Sequence, residues 1–356
     1  MLDHLQALAV HAFYAGEIDA GRRACERILS MPGLPAEAAM QTRANRLWYT
    51  PTLDELADAT FQRIDIEPAH EGWSLFNPAL ISHAGDLVGI VRSSNYRIVD
   101  GQYVMPDEDG GRIRTENRLV RFGPDLVPVS CRPLACDYPR TEYPVDGLED
   151  CRLRHTRSGI GISATVRNVA PFDGRCRIAV GDLDLAAAAV TGLKVLDGIE
   201  AQAHEKNWMP IEGRGGWVYA CSHGGHVLTV DADPDLAGGW QLARRSPAPP
   251  IAAEFRGGSQ LVRSRDGWLA VIHETAYLNG RRAYEHRLVA FDASLRVAAV
   301  SPPFAFREQR AIEFAAGMAR QGDRLVIAFG VRDAEAWLVA ITEEQAWRLL
   351  SPVTSG

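Results

Sequence analysis

The stretch "LEDCRL", Leu148 to Leu153, sets two carboxylates, Glu149 and Asp150, against Arg152 at the start of a run that reads as a β-strand. A carboxylate pair in this setting is a candidate for catalytic acid work. A salt-bridged turn at a strand start has the same wording, so the local text leaves both readings open. Other polar residues stand at the ends of apolar runs: Asn77 before Pro78, Lys206 and Asn207, His273 and Glu274 closing "WLAVIHE", and Asp333 closing "FGVRD". Taken singly, Asn77 reads equally as a turn residue, His273 as a satisfied core histidine and Arg152 as the partner of Glu149.

The elements that must position these residues fall into two regions. From Leu2 to about Phe61, apolar residues recur at three and four, as in "AFYAGEIDAGRRACERILSM". "MPGLP" breaks the pattern, a second helical run follows Pro35, and Pro51 closes it. The small residues around a Gly-containing turn resemble about one unit of a tetratricopeptide repeat. Residues 1–65 are therefore expected to form a small helical segment and 66–356 an all-β domain, with further helical text only around Asp184 to Ala189.

Within the β region one hairpin pattern occurs five times, opening at Phe76, Glu149, Lys206, Gly257 and Ala315. Each copy runs from polar or small residues through a short strand and a Gly-containing turn to a strongly apolar strand with a polar tail. A single sheet cannot bury both faces, so such copies must stack radially, which predicts a five-bladed β-propeller. Its innermost strands would bring to one mouth Asn77, Glu149, Asp150, Arg152, Lys206, Asn207, Ser259, Gln260 and Glu313. The returning strands would add Arg92, Ser94, Asn95, Arg167, His223, His273, Glu274 and Asp333. A mouth that is acidic, basic and amide-rich at once suits carbohydrate, whose hydroxyls both donate and accept. Trp208, Tyr277 and Tyr284 are available for stacking.

Composition limits the alternatives. The net charge of −7 arises from 45 acidic and 38 basic residues spread along the chain, with no basic block, so a nucleic-acid partner is not expected. No apolar run suffices to span a bilayer, and the first residues carry no secretory pattern, so a cytoplasmic protein without a membrane span is expected. The six cysteines form no CxxC pair, and neither a zinc site, another metal nor a cofactor is indicated.

The residues now assembled resemble the five-bladed β-propeller glycoside hydrolase family 130, the mannoside phosphorylases, and the β-mannosyltransferases that share their fold. The matching pieces are "NPAL", "LEDCRL" where the family has Glu-Asp-Pro-Arg, "KNWMPIEGRGGWVYACSH", "DGWLAVIHE", and "RLVIAFGVRDAEAWLVAI" where the family has a Gly-Ala-Ala-Asp strand end; together they span about Phe76 to Ile341. The resemblance implies that Asp150 is the proton donor of an inverting glycosyl transfer. It further implies that Asp333 holds hydroxyls of the reacting sugar, that Arg152 helps position it, and that Arg167, Lys206 and His223 bind phosphate. Cys151 stands where the family has Pro, and the helical N-terminus lies outside the usual phosphorylase.

Several activities fit these residues. One is transfer between a sugar and inorganic phosphate. Another is transfer from a sugar nucleotide, with the same cations holding a diphosphate and the helical segment contacting an acceptor or a protein. Hydrolysis would need a second carboxylate, for which Glu274, Glu313 and Asp333 are candidates. A non-catalytic glycan-binding propeller would keep Asn77 and Asp333 and tolerate loss of Asp150.

Overall fold

A computed structural model describes residues 1–106, 110–157, 159–169, 173–199, 204–232 and 239–353. Three helices come first: α1 (Leu2–Tyr14), α2 (Ile18–Leu29) and α3 (Ala36–Arg46). In α2 the buried positions Gly21, Ala24, Cys25 and Ile28 recur at helical spacing. Their smallness lets Tyr49 lie across the helix: its ring occupies the space a Cβ at Gly21 would need, and its hydroxyl donates to the Ala9 carbonyl at 2.8 Å.

Five antiparallel sheets follow around one axis. Blade 1 comprises Ser74–His83, Asp86–Ser94, Ile113–Phe122 and Pro128–Pro133, and blade 2 comprises Glu149–Thr156, Gly159–Val166, Arg177–Asp184 and Ala189–Leu196. Blade 3 runs from Met209–Pro210 through Trp217–His223 and His226–Ala232 to Trp240–Pro247. Blade 4 is built on the long hairpin Gly267–Leu278 and Arg281–Phe291. Blade 5 has Glu313–Gln321, Arg324–Val331 and Glu335–Thr342, and takes its outer strand, Thr60–Arg63, from the other end of the β region. The chain is thus an all-β five-bladed propeller with a small helical N-terminal segment.

Two local readings change. Thr60–Arg63, which the periodicity placed at the end of the helical stretch, is a strand, with Thr60 opposite Ala340 and Arg63 opposite Trp337. The Asp184 to Ala189 stretch is a turn rather than a helix, because the Asp184 carboxylate accepts the backbone N–H groups of Ala186 and Ala187 and reverses the chain between two strands. A short C-terminal helix, Glu343–Leu349, starts at a Thr342/Gln345 capping box. Among the described residues no helix is long and apolar enough to cross a membrane.

Apolar side chains fill each seam between blades; Leu80, Val91 and Val120 of blade 1, for instance, meet Val326 and Leu338 of blade 5. The helical segment is fixed to blade 4 by Leu47 packing on Ala276 and Ala283 and by a buried cluster of charges. Arg46 of α3, fully buried, contacts Glu285 at 2.7 Å, Glu274 at 2.9 Å and Glu26 at 3.1 Å, and buried Arg287 contacts Glu274 at 2.6 Å and Glu26 at 2.7 Å. Glu274, expected at the mouth, is therefore a structural anion on the opposite side of its strand. Glu313 departs in the same way: its carboxylate accepts the backbone N–H groups of Phe306, Arg307 and Glu308, and burial pushes its pKa up to about 7.

Removing one member of a buried ion cluster leaves its partners uncompensated, so Arg46→Ala is expected to lower stability by about 3–5 kcal/mol in denaturant titration. Burial opposes ionisation of Glu274, yet Arg46 and Arg287 hold its pKa at about 2, below the ordinary 4.5. Its contribution is therefore complete above pH 4.5 and lost as pH falls toward 2. Acid unfolding of Glu274→Gln should show a shallower dependence over that window.

Candidate active site

The residues at the mouth depend on an unusual backbone. Asn77, Asp150, Asn207 and Asp333, from blades 1, 2, 3 and 5, all have positive φ, at 46°, 47°, 63° and 51°. Asn and Asp enter this left-handed region at lower cost than other L-residues, which explains their presence. The strand register shifts between Phe76 and Ala79 and between Glu149 and Arg152, so the bulges turn Asn77 and Asp150 toward the axis. Glycine makes room: a Cβ at Gly330 would collide with Asn77, and one at Gly257 with the Asn207 carbonyl.

These residues line a cavity of about 310 Å³. Of those expected from the sequence, the structure brings together Asn77, Arg92, Glu149, Asp150, Arg167, Lys206, Asn207, His273, Tyr284 and Asp333. Asn77 Nδ2 donates to Asp150 Oδ1 at 2.9 Å, and Arg92 donates to Asp150 Oδ1 at 3.1 Å while its other nitrogen bonds Glu149. Arg152 lies behind the wall, 2% exposed, donating to the carbonyls of Gly258 and Asp150 and to Asn207 Oδ1. It therefore braces the backbone of Asp150 across three blades.

Electrostatics separate the two aspartates. Burial would raise the pKa of Asp150, but Arg92, the Asn77 amide, Arg152 and Lys206 outweigh it and hold it below the ordinary carboxylate value. Asp333 is shifted the other way: burial raises its pKa, and Arg92 and the Tyr96 hydroxyl, 2.8 Å from Oδ2, do not offset that. His273, packed against Tyr284 and Phe314, is kept neutral by burial, and its Nδ1 has no partner. Cys151 is no nucleophile here, since burial and Asp150 push its thiol up to about 12.

Other expected residues lie elsewhere. Asn95 ties the backbone of Arg112 and Arg114. Ser94 donates to the Arg114 carbonyl. His223 ends a strand one step out from the axis, against Tyr219, and does not line the cavity. Trp208 is buried, its indole donating to Glu205, and cannot stack on a sugar. Tyr277 is outside the lining. Ser259 bonds the backbone of its own blade, and Gln260 crosslinks Leu80 and Met318 within the channel.

Sequence reasoning missed Tyr96, Tyr103, Ile98 and Arg282. Tyr103 and Ile98 sit on a small hairpin, Arg97–Val99 and Gln102–Val104, whose Asp100-Gly101 turn has positive φ at both positions. The "DG" between two apolar pairs was the available signal. Asp100 meets Arg281 at the tip of the blade 4 hairpin, 3.1 Å away.

A carboxylate with a raised folded-state pKa weakens the fold as pH rises through that pKa, and one with a depressed pKa strengthens it above its unfolded value. At neutral pH, Asp333→Asn should therefore maintain or raise the melting temperature, and Asp150→Asn should lower it. Melting curves from pH 4 to 8 check the contrast, which is largest at the alkaline end.

No family model matches the sequence, and no curated protein matches it. Solved structures do. The β-1,2-mannobiose phosphorylase from Listeria innocua is 14% identical, with a TM-score of 0.50, over 81% of this chain and 96% of that one. A glycosyl hydrolase from Bacteroides ovatus is 14% identical, with a TM-score of 0.52, over 86% and 99%. A third structure, described as showing that the family 130 mannoside phosphorylases contain glycoside hydrolases targeting β-1,2-mannosidic linkages in Candida mannan, is 16% identical, with a TM-score of 0.51, over 86% and 99%. What this chain shares with them is the fold: it is a five-bladed β-propeller of the kind found in the mannoside phosphorylases.

Proposed function

We propose that this protein is an inverting glycosyl-transferring enzyme that moves a mannosyl unit between a sugar and inorganic phosphate. The observation that carries the reading is the charge of the cavity. Its lining holds Arg92, Arg167, Lys206 and Arg282 against Glu149, Asp150 and Asp333, with Arg152 immediately behind, in a chain whose net charge is −7. Arg92 serves the carboxylates, Arg152 the backbone and Arg282 the Tyr284 hydroxyl, while Arg167 is held in place through Nε and Nη2 by the Gly174 carbonyl and the Tyr143 hydroxyl. An anion would be drawn to Lys206 and to the charge of the Arg167 guanidinium beside it. Both act on the same neighbours, Cys176 and His204, whose pKa values respond to each of them after burial. A dianion can approach three carboxylates only where such cations compensate. The phosphorylase and hydrolase neighbours supply the mannoside as the sugar.

In this reading Asp150 handles the proton. Its depressed pKa leaves it ionised at neutral pH, ready to accept a proton from an acceptor hydroxyl when a sugar phosphate is the donor. Phosphate bound beside Lys206 would neutralise one of the cations that lower the Asp150 pKa, shifting it toward the protonated form that the phosphorolytic direction requires. Asp333, held by Tyr96, would fix sugar hydroxyls. A cavity of about 310 Å³ is at the small end of ligand sites, which suits a sugar and a phosphate better than a sugar nucleotide. With Glu274 and Glu313 engaged elsewhere, hydrolysis would have to use Asp333 or Glu149 as its base; the hydrolase neighbours keep that as the second reading.

Incubation with mannose 1-phosphate or GDP-mannose and a panel of sugar acceptors should consume the former alone. Mannose release from a β-1,2-mannoside at equal rates with and without phosphate would show a hydrolase instead. Asp150→Asn should reduce turnover by about two to four orders of magnitude with binding nearly intact. Lys206→Ala should weaken phosphate or mannose 1-phosphate by about 1.5–3 kcal/mol while sparing a neutral sugar, measured by titration calorimetry.

A further inference from the structure

The propeller axis has a second, larger cavity at its opposite mouth, of about 900 Å³, with no lining residue in common with the first. Gln260 separates them: 5% exposed, its amide donates to the Leu80 carbonyl of blade 1 and accepts the Met318 N–H of blade 5 at 3.1 Å. The floor beyond this plug is apolar, formed by Ile81, Leu153, Val262 and Met318. The rim is charged, and its two signs are not equally occupied. Glu343 is taken by Arg320 and Ser264, Glu344 by Arg348, and Glu212 by the Arg263 backbone N–H and by His155 at 3.9 Å.

The remaining arginines have aromatic rings where acids would be expected. Arg154 lies 4.7 Å over Trp217, Arg263 4.7 Å over Trp268, and Arg265 4.0 Å over Trp347. No salt bridge to any of the three is present among the described residues. Arg154 Nε is buried without a hydrogen-bond partner, and burial draws its pKa down, with only Asp182 raising it. The Nε of Arg154 is enclosed against Gly161, and a guanidinium stacked on an aromatic ring keeps its terminal N–H groups for a ligand.

We infer that the opposite mouth is a second ligand site, for a small amphipathic anion whose apolar body rests on the Ile81, Leu153, Val262 and Met318 floor while its phosphate or carboxylate meets Arg154 and Arg265. The volume falls within the range of small-molecule sites, and the pairing of an apolar floor with a few convergent polar groups is their usual composition. The site is independent of the transfer chemistry, because Gln260 closes the channel between the two mouths.

Hexyl phosphate, hexanoate, hexanol and inorganic phosphate, titrated calorimetrically into the full-length protein, separate the two halves of the site. Hexyl phosphate or hexanoate should saturate one site, and hexanol should bind at least roughly tenfold more weakly than the better of them. Which anion binds tighter assigns the head group. Arg154→Gln and the exposed Arg265→Gln should each weaken that binding roughly tenfold, with the melting temperature of each variant measured alongside, whereas Lys206→Ala should leave it unchanged. The inference is overturned if neither amphipathic anion saturates by about 10 mM, if hexanol binds as well, if Arg265→Gln has no effect, or if Lys206→Ala abolishes the signal. Inorganic phosphate binding that survives Arg265→Gln and vanishes with Lys206→Ala reports the other mouth and provides the internal control.

Discussion

A propeller holds its centre only if its ring closes, and here closure rests on one strand. Thr60–Arg63 pairs with Glu335–Thr342, so the last blade is completed by a segment that precedes the first. The seam this closes, between blades 5 and 1, carries part of the candidate site, whose other residues come from blades 2, 3 and 4. Tyr96 of the blade 1 side donates to Asp333, and Asn77 fits only because residue 330 is glycine. Opening that seam would separate Asn77 from Asp333 while leaving every blade's own hydrogen bonds possible. Site geometry is therefore a consequence of ring closure more than of any one blade.

Buried charge is used in two different ways. Beneath the helical segment, Arg46 and Arg287 face Glu26, Glu274 and Glu285 at close range, and every member of the cluster has a partner of opposite sign. Such a cluster fixes orientation and has little chemistry left to offer. In the cavity the balance is reversed, with cations beyond those that the carboxylates need, and Asn77 Oδ1, Arg92 Nε and His273 Nδ1 lack partners. Polar groups left unmade inside a folded protein are what a polar ligand can complete.

The two uses meet on a single strand. His273 and Glu274 are adjacent in Gly267–Leu278, opposite His286 and Glu285, and successive side chains of a strand point to opposite faces. His273 therefore faces the cavity and Glu274 the helices. The helical segment is thus one residue away from the site wall, and its attachment constrains the strand that carries His273. A similar economy applies along the axis, where one ring of inner strands presents polar residues at one mouth and arginines over an apolar floor at the other.

The sequence alone determined the architecture. Alternating apolar runs repeated five times can be buried only by radial stacking, and the polar residues that open each repeat must then converge. Asn77, Asp150, Asn207 and Asp333 could be read from the sequence as mouth residues because they open or close the repeats, but the left-handed backbone that aims them was not legible, since Ala84, Leu126 and Arg332 adopt it too. Which polar residues stay at the mouth was decided by tertiary structure. Glu274 was drawn to Arg46, 228 positions earlier; Glu313 was captured by three backbone N–H groups; Asn95 by the Arg112–Arg114 backbone; and Trp208 by Glu205. Tyr103 and Arg282 reach the cavity on two hairpins, from blades 1 and 4, which the Asp100–Arg281 pair joins and no local pattern connects. A side chain's partners are chosen by competition among everything within a few ångströms, and that neighbourhood exists only once the ring has closed.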